Sequence, residues 1–142
     1  MFKWFFLLVS LIFSVESFAT VDIVLACKEK KEQQMSLLPK MSISITEANL
    51  AGQCTGYRHY SEVDFNKACS EFVEQKEALL PFMSTSLAEA NWAGMCIGGI
   101  YRVAKICDVS TSYLNYLGVA KNVYSLRSLK EQLGCYGESY GG

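Results

Sequence analysis

The first apolar stretch of the chain lies at its N-terminus, directly behind a positive charge. Lys3 precedes an almost unbroken apolar run that extends only from Trp4 to Val15. Such a run is too short to span a bilayer, and Ser17-Phe18-Ala19 behind it has the small-x-small pattern that signal peptidases cut. We therefore predict that residues 1–19 are a signal peptide that is removed on export, rather than a membrane anchor.

The pattern of apolar and polar residues behind this segment occurs twice in the chain. Between residues 21–56 and 63–98, 20 of 36 aligned positions are identical, and the alignment needs no gap. Chance does not produce such a match. The sequence therefore contains a tandem duplication, which we describe as repeat 1 (residues 21–60) and repeat 2 (residues 63–102).

Each repeat has the pattern of a helical hairpin. Its first half is rich in Glu, Lys, Gln, Leu and Ala and stops at a proline, Pro39 in repeat 1, which cannot continue a helix. A second helix is predicted to begin at Ser44, where Glu47 completes a capping box. The same three positions return in repeat 2 as Pro81, Ser86 and Glu89.

Six cysteines follow the predicted signal peptide, and an even number in an exported chain indicates a disulfide framework. Cys27 precedes the proline of its hairpin by nearly as much as Cys54 follows it, so both should lie at a similar height on antiparallel helices. The same spacing returns in repeat 2, and the spacing of the last pair is almost equal to it. We predict the bridges Cys27–Cys54, Cys69–Cys96 and Cys107–Cys135. Bridges between neighbouring units, such as Cys54 to Cys69, are the alternative.

Lipidation of Cys27 is a second alternative, because Val24-Leu25-Ala26-Cys27 resembles a bacterial lipobox. Two observations speak against it. Asp22 interrupts the apolar run before the cysteine, and Cys69 holds the same place in repeat 2, where no lipid signal could operate. The disulfide interpretation is therefore preferred.

The last pair of cysteines delimits a third, shorter unit, residues 107–135. Asp108 and Ser110 are predicted to begin its first helix, Ser125 its second, and Gly134 to end that helix. The sequence thus predicts an all-α fold, a small disulfide-stapled bundle of about three helical hairpins, of which the first two are the tandem repeat. We expect a single domain at residues 20–135 and a flexible glycine-rich tail at 136–142.

Charge and residue spacing argue against several kinds of function. Removing Lys3 and Glu16 from 13 basic and 14 acidic side chains leaves 12 and 13, a net charge of −1, which indicates neither nucleic acid nor a membrane surface as partner. No two cysteines lie within four residues of each other and His59 is the only histidine, so no metal site or Cys–His nucleophile is indicated. Among the carboxylates that occur in both repeats, Glu47 and Glu89 are explained by helix capping, and the glutamates of the first helices by a solvated helix face. We predict no catalytic residue, no cofactor and no enzymatic activity.

Tyrosine and arginine side chains cluster where the hairpins are predicted to end or meet. Both residue types are favoured as anchors of protein interfaces. We therefore predict a protein-binding surface formed by Tyr57, Arg58, His59, Tyr60, Tyr101 and Arg102. The alternative is that the rings fill gaps between hairpins, since tyrosine is often partly buried.

One segment resembles a known family. The stretch Cys96-Ile97-Gly98-Gly99-Ile100-Tyr101-Arg102-Val103-Ala104 resembles the Cys-x-Gly-Tyr-x-x-Gly-Val segment of Rap-type immunity proteins of type VI secretion. The resemblance extends over about residues 63–135 through Ala68-Cys69, Cys107, residues 109–117 and Cys135, and repeat 1 carries a second copy of its front part with Cys54-Thr55-Gly56-Tyr57. The chain departs from the motif at two positions, where Gly99 replaces the tyrosine and Arg102 the second glycine.

The resemblance implies a periplasmic helical protein that protects its producer by binding and blocking a cell-wall-degrading toxin, with no chemistry of its own. The alternative is a structural or adaptor protein of the envelope or secreted fraction that uses stacked hairpins as a scaffold. Both interpretations predict a periplasmic or secreted protein with a protein partner and without a membrane contact after signal removal. The sequence leaves the oligomeric state open, a homodimer included.

Overall fold

The computed structural model describes residues 21–35, 44–78 and 86–135, and the regular structure of these ranges is helical. The helices are α1 (Ile23–Met35), α2 (Ile45–Arg58), α3 (Phe65–Glu77), α4 (Leu87–Ile106), α5 (Tyr116–Ala120) and α6 (Leu126–Gln132), with a 3-10 turn at Tyr60–Glu62. The predicted all-α, disulfide-stapled bundle is confirmed. The predicted signal peptide, both proline turns and the C-terminal tail lie outside the described ranges. Among the helices of those ranges, none has the length and apolar character needed to cross a membrane.

Repeats 1 and 2 both fold as antiparallel helix pairs, α1 with α2 and α3 with α4. The predicted capping box is present at Ser44, whose hydroxyl accepts from the amide of Glu47 at 3.1 Å. Ser86 and Glu89 repeat this contact at the start of α4. One cross-helix bond is also duplicated, because Gln33 donates to the Glu47 carbonyl at 2.9 Å and its counterpart Gln75 donates to the Glu89 carbonyl at 2.8 Å.

Three disulfides fasten the bundle. They join Cys27 to Cys54, Cys69 to Cys96 and Cys107 to Cys135, which are the pairs expected from the hairpin spacing. The Cα atoms of the first two pairs are 4.8 and 4.9 Å apart, so the two repeats bring their helices to almost the same separation. All six cysteines are thereby paired within their own units.

Helices α2 and α4 form the centre of the bundle and pack with their backbones in close contact. A Cβ atom at Gly52 would collide with the carbonyl oxygen of Asn91, and one at Gly94 would collide with that of Asn49. The next turn repeats this arrangement, with Gly56 against Met95 and Gly98 against Gln53. Contacts advance in the same direction along both helices, so α2 and α4 run parallel.

Two asparagines add hydrogen bonds to this glycine contact. Asn49 donates to the Ala90 carbonyl at 3.3 Å, and Asn91 donates to the Ala48 carbonyl at 3.2 Å. Since Asn91 is the counterpart of Asn49 and Ala90 that of Ala48, each repeat gives its neighbour the contact that it receives. The two hairpins are therefore related by a pseudo-two-fold axis, as the subunits of an isologous dimer would be.

The largest buried cluster lies between repeat 2 and the third unit. Phe65, Ile100 and Leu129 are at most 1% exposed, and they belong to one cluster that continues to Leu133. Helix α5 packs against α3 and α4, while α6 packs against α4. The buried residues of repeat 1 are smaller: Ala26, Ala48, Ala51, Gly52, Cys54 and Gly56.

The first half of the third unit differs from the prediction. Asp108 and Ser110 begin no helix, because Asp108 adopts a φ of 57° directly behind α4. The amide of Asp108 donates to the Lys105 carbonyl at 3.3 Å and that of Val109 to the Ala104 carbonyl at 2.8 Å, a Schellman arrangement. Asp108 therefore ends the long helix α4 instead of beginning a new one.

The second helix of the third unit agrees with the prediction, whereas the first begins later in the chain than predicted. Helix α5 begins only at Tyr116, where Asn115 accepts from the Gly118 amide at 2.9 Å. Ser125 caps α6, and Gly134 with a φ of 74° ends it. A second Schellman pair follows there, so that Cys107 and Cys135 both lie at helix C-termini, where their disulfide closes the unit.

Candidate functional site

Three of the six residues predicted to bind a partner lie together. The rings of Tyr57 and Tyr101 are 5.9 Å apart between centroids and tilted by 48°. Arg102 donates from Nη1 to the Tyr57 hydroxyl at 3.1 Å, and its guanidinium lies 4.9 Å from the centre of the Tyr57 ring. Lys105 Nζ lies 5.3 Å from the centre of the Tyr101 ring. We call these four residues the tyrosine–cation cluster.

The parallel packing of α2 and α4 creates this cluster, because it brings the C-terminal parts of both helices to the same side of the molecule. The duplication does not create it. Tyr57 is the counterpart of Gly99, and Tyr101 is the counterpart of His59, so the pair combines non-equivalent positions of the two repeats. The molecule therefore has one such cluster within its described residues, placed at the junction of the repeats.

The residues of the cluster are anchored by partial burial and still reach the surface. Tyr57, Tyr101 and Arg102 are all half-buried, and Lys105 is exposed. The guanidinium and ammonium groups face aromatic rings, which attract cations through their quadrupoles. The hydrogen bond and the cation–π contacts restrain these groups, so the cluster offers a pre-organised combination of aromatic and cationic groups.

The other three predicted residues are placed differently. Arg58 and His59 are exposed, and His59 Nδ1 lies 3.9 Å from a carboxylate oxygen of Glu62. Tyr60 lies in the 3-10 turn and packs against the buried cluster of repeat 2. Gap filling, the alternative considered above, thus describes Tyr60. A binding role for the six residues stays a prediction.

Tyr116 extends the tyrosine–cation cluster toward the interior. Its hydroxyl is buried and has no hydrogen-bond partner among the described residues. Burial, and then the neighbouring Tyr101, raises the pKa of Tyr116 to about 12. Neither Tyr116 nor Lys105 was among the predicted site residues. Lys105 could have been found, since it follows Tyr101 by four residues and so lies on the same face of a helix.

A polar cleft of about 680 Å³ lies between α3 and the segment that links α5 to α6. The ion pair of Lys121 Nζ with Glu77 Oε1, at 2.9 Å, spans the two sides. Glu74 also lines the cleft. The arrangement can accept polar groups from solvent, and within residues 21–35, 44–78 and 86–135 no three metal-binding side chains converge there or elsewhere.

Asp22 and Asp64, a pair of carboxylates that occurs in both repeats, have a structural task. Asp22 and Asp64 accept from the amides of Leu25 and Lys67 and so cap α1 and α3, a task that was not predicted for them. Glu71 differs, because burial and the charges of Glu89 and Glu74 raise the pKa of its carboxyl group.

Comparison of the chain with protein-family models, with curated proteins and with solved structures finds no match. The resemblance to Rap-type immunity proteins consequently stays a prediction. What the chain does has to be inferred from its own residues and their arrangement.

Proposed function

We propose that this chain is an exported binding protein that neutralises a secreted cell-wall-degrading toxin by direct binding, as the Rap-type immunity proteins that it resembles do. It acts by covering the toxin's active site and contributes no chemistry. The observation that carries this proposal is the tyrosine–cation cluster, a pre-organised aromatic and cationic surface at the junction of the two repeats.

The composition of the cluster favours a protein partner. Tyrosine and arginine are the residues most often found to dominate the energetics of protein interfaces, because they combine a large contact area with directional hydrogen bonds. Holding them in place beforehand reduces the entropy that is lost on binding. The bond from Arg102 to the Tyr57 hydroxyl provides this restraint.

The disulfides favour an extracytoplasmic location. Bridges persist in oxidising compartments such as the periplasm and are rare where glutathione and thioredoxin keep thiols reduced. All six cysteines of the chain are paired. A toxin that degrades the cell wall would meet the protein in that same compartment.

Binding to purified cell-wall hydrolases tests the proposal. The oxidised protein is titrated against amidases and muramidases from its source and from close competitors, and both affinity and residual hydrolase activity are measured. We expect one enzyme to be bound tightly and inhibited at a one-to-one ratio of binding sites. Tyr101→Ala and Arg102→Ala should each weaken that complex by about 30-fold or more, as hot-spot truncations do.

Tyr113→Ala is the matched control, since Tyr113 is 89% exposed and lies outside the cluster. It should leave the affinity unchanged. Circular dichroism and thiol titration check that each variant retains its helices and its three bridges. If no hydrolase is bound, or if a bound hydrolase keeps its full activity, the toxin-neutralising function is refuted.

A structural or adaptor role is the second candidate, and one observation favours it. The duplication places its shared residues in the contact between α2 and α4, where they stabilise the stacked hairpins rather than form a surface. A scaffold of this kind would bind several envelope proteins without inhibiting any of them. The same hydrolase titration, extended to envelope proteins without enzymatic activity, separates the two candidates.

A further inference from the structure

The third unit covers a face of repeat 2 that has a counterpart in repeat 1. On repeat 2, the covered face includes Phe72 and Ile100, which are 5% and 0% exposed and share a buried cluster with Leu129 and Leu133 of the third unit. The chain contains one third unit for two repeats. Within the described residues, α1 packs extensively against α2 alone, so the corresponding face of repeat 1 has no such cover.

The residues of repeat 1 at the equivalent positions are cationic or polar. Lys30 stands at the position of Phe72, and Arg58 at that of Ile100. Lys28 and Lys31 replace Ser70 and Val73, two residues that line the cleft beside the third unit. Within the described residues, repeat 1 therefore carries four cations where repeat 2 has uncharged side chains, and Glu32, the counterpart of the cleft residue Glu74, is the acidic residue beside them.

One of these cations, Lys30, is held against α2 by a hydrogen bond. Lys30 Nζ donates to Thr55 Oγ1 at 2.8 Å, and Thr55 in turn donates to the Ala51 carbonyl at 3.1 Å. Partial burial, and then the charge of Arg58, lower the pKa of Lys30. The ion pairs found among the described residues lie at His59, Lys121 and Arg127, so none neutralises this face.

Two large apolar side chains flank the charges. Val24 is 77% exposed and Met35 is 74% exposed, at opposite ends of α1. Their counterparts, Asn66 and Glu77, line the cleft between repeat 2 and the third unit. From Val24 to Met35 the helix rises by about 16 Å, or three turns. Val24, Lys28, Lys31 and Met35 lie in one row along α1 because they are three or four residues apart. Lys30 lies beside that row, on the side of α2. A cationic row with an apolar contact at each end is suited to a partner of the complementary pattern.

We propose that this face, which we call the open seat and which consists of Val24, Lys28, Lys30, Lys31, Met35 and Arg58, docks an acidic helical segment of a protein partner. The segment is about three turns long, presents carboxylates to the cations, and carries an apolar residue near each end. It occupies the place on repeat 1 that the third unit occupies on repeat 2. The inference rests on the proposed function, since it specifies the chemistry of the bound protein.

A peptide of that design tests the open seat without knowledge of the natural partner. The probe is a synthetic helix with glutamates along one face and a leucine at each end of that face, and a second peptide has lysines in place of the glutamates. We expect the oxidised protein to bind the acidic peptide at least tenfold more tightly than the basic one. Added salt should weaken the acidic complex, because the contact is partly ionic.

Variants locate the contact. Lys30→Gln/Arg58→Gln should weaken binding of the acidic peptide at least tenfold, while Lys76→Gln, an exposed cation on α3, should leave it unchanged. Equal binding of both peptides, or an equal loss in the Lys76 variant, overturns the proposal. So does tighter binding of a single-stranded oligonucleotide or of phosphatidylglycerol vesicles, or a dimer of this chain that the double variant abolishes.

The outcome is distinguishable from that of the proposed function. If a wall hydrolase is bound and inhibited but the double variant binds it normally, the function stands and the open seat does not. If the acidic peptide binds at the open seat and no hydrolase is bound, the surface stands and the toxin partner does not.

Discussion

Repeat 1 and repeat 2 have 20 identical residues in 36 positions, and they differ mainly in what lies against them. At the closest contact between the repeats, Asn49 and Gly52 are matched by the identical Asn91 and Gly94, because a reciprocal contact places the same demand on both partners. Where repeat 2 meets the third unit, it has Phe72 and Ile100, whereas repeat 1 has Lys30 and Arg58. The copies are therefore identical at their reciprocal contact and diverge where their surroundings differ.

The repeats also differ in which of their two helices carries a large aromatic side chain. In repeat 2, the ring of Phe65 occupies the space that a side chain at Gly99 would fill. In repeat 1, the counterparts are Ile23 and Tyr57, so the smaller residue stands on the first helix and the larger on the second. Tyr57 is consequently available for the contact with Tyr101 and Arg102. The candidate binding surface exists because the copies diverged at this pair.

Matched truncations on the two repeats should show the largest difference. Phe72→Ala removes a buried ring from the cluster with the third unit and should lower the free energy of unfolding by about 3–5 kcal/mol. Lys30→Ala, at the equivalent position, removes a part-exposed hydrogen bond and should cost about 1 kcal/mol or less. Urea denaturation of the oxidised proteins measures both. Similar losses would mean that repeat 1 is covered as repeat 2 is, and would break the comparison.

Removal of one disulfide from each repeat sharpens the comparison. Both bridges close loops of the same length, with a sequence separation of 27 between their cysteines, and each should contribute about 3–4 kcal/mol through the unfolded state. The consequences should differ in extent. Cys27→Ala/Cys54→Ala should speed amide hydrogen exchange in α1, which packs extensively against α2 alone among the described helices. Cys69→Ala/Cys96→Ala should speed it throughout α3 to α6, because that bridge lies within the largest cluster.

Substitution of the central glycines tests the part that the repeats share. Gly52→Ala and Gly94→Ala each place a methyl group against a backbone carbonyl, so each should lower stability by about 1–3 kcal/mol. If the helices had room, alanine would instead raise stability by up to about 1 kcal/mol through its helix propensity. The sign of the change in thermal or urea unfolding is therefore decisive. Unequal effects at the two glycines would contradict the pseudo-two-fold relation, and Thr46→Ala, at an exposed position of α2, is the control.

Much of the fold could be predicted from the sequence, because local signals specify it. Prolines, capping boxes and cysteine spacing defined two hairpins and all three bridges. The parallel packing of α2 against α4 could not be predicted in the same way. The small residues Ala51-Gly52 and Ala93-Gly94 are compatible with a close helix contact, but they would serve a contact within a hairpin equally well. The structure shows that the contact joins the repeats, because the glycines pack and Asn49 and Asn91 donate across the pseudo-two-fold axis.

Only part of the candidate site could be predicted, because its geometry depends on the packing of α2 against α4. Tyr57, Tyr101 and Arg102 were identified by residue type, and their mutual contact depends on the helix pairing that the sequence leaves open. For Asp108, the prediction that it begins a helix was wrong. An aspartate is a good helix N-cap, yet here it takes a left-handed backbone conformation and ends α4, with the amides of Asp108 and Val109 bonded to carbonyls of the last turn.

The smallest predicted effect concerns Tyr116, a residue of the helix through which the third unit contacts α4. Its hydroxyl is buried without a partner among the described residues, so Tyr116→Phe removes a polar group whose burial is unfavourable and should raise stability by up to about 1 kcal/mol.

The pKa of Tyr116 is raised to about 12 from 10 by burial and by Tyr101, so the folded state favours the neutral phenol. The stability that depends on it is complete below pH 10 and is lost as the pH rises through 12, because the unfolded chain ionises first. Ultraviolet titration of the phenols should show one late-ionising tyrosine that Tyr116→Phe removes and Tyr113→Phe retains. If the late phenol persists in the Tyr116 variant, the third unit does not seal this part of α4, and the contrast between a covered repeat 2 and an open repeat 1 is weaker than the packing indicates.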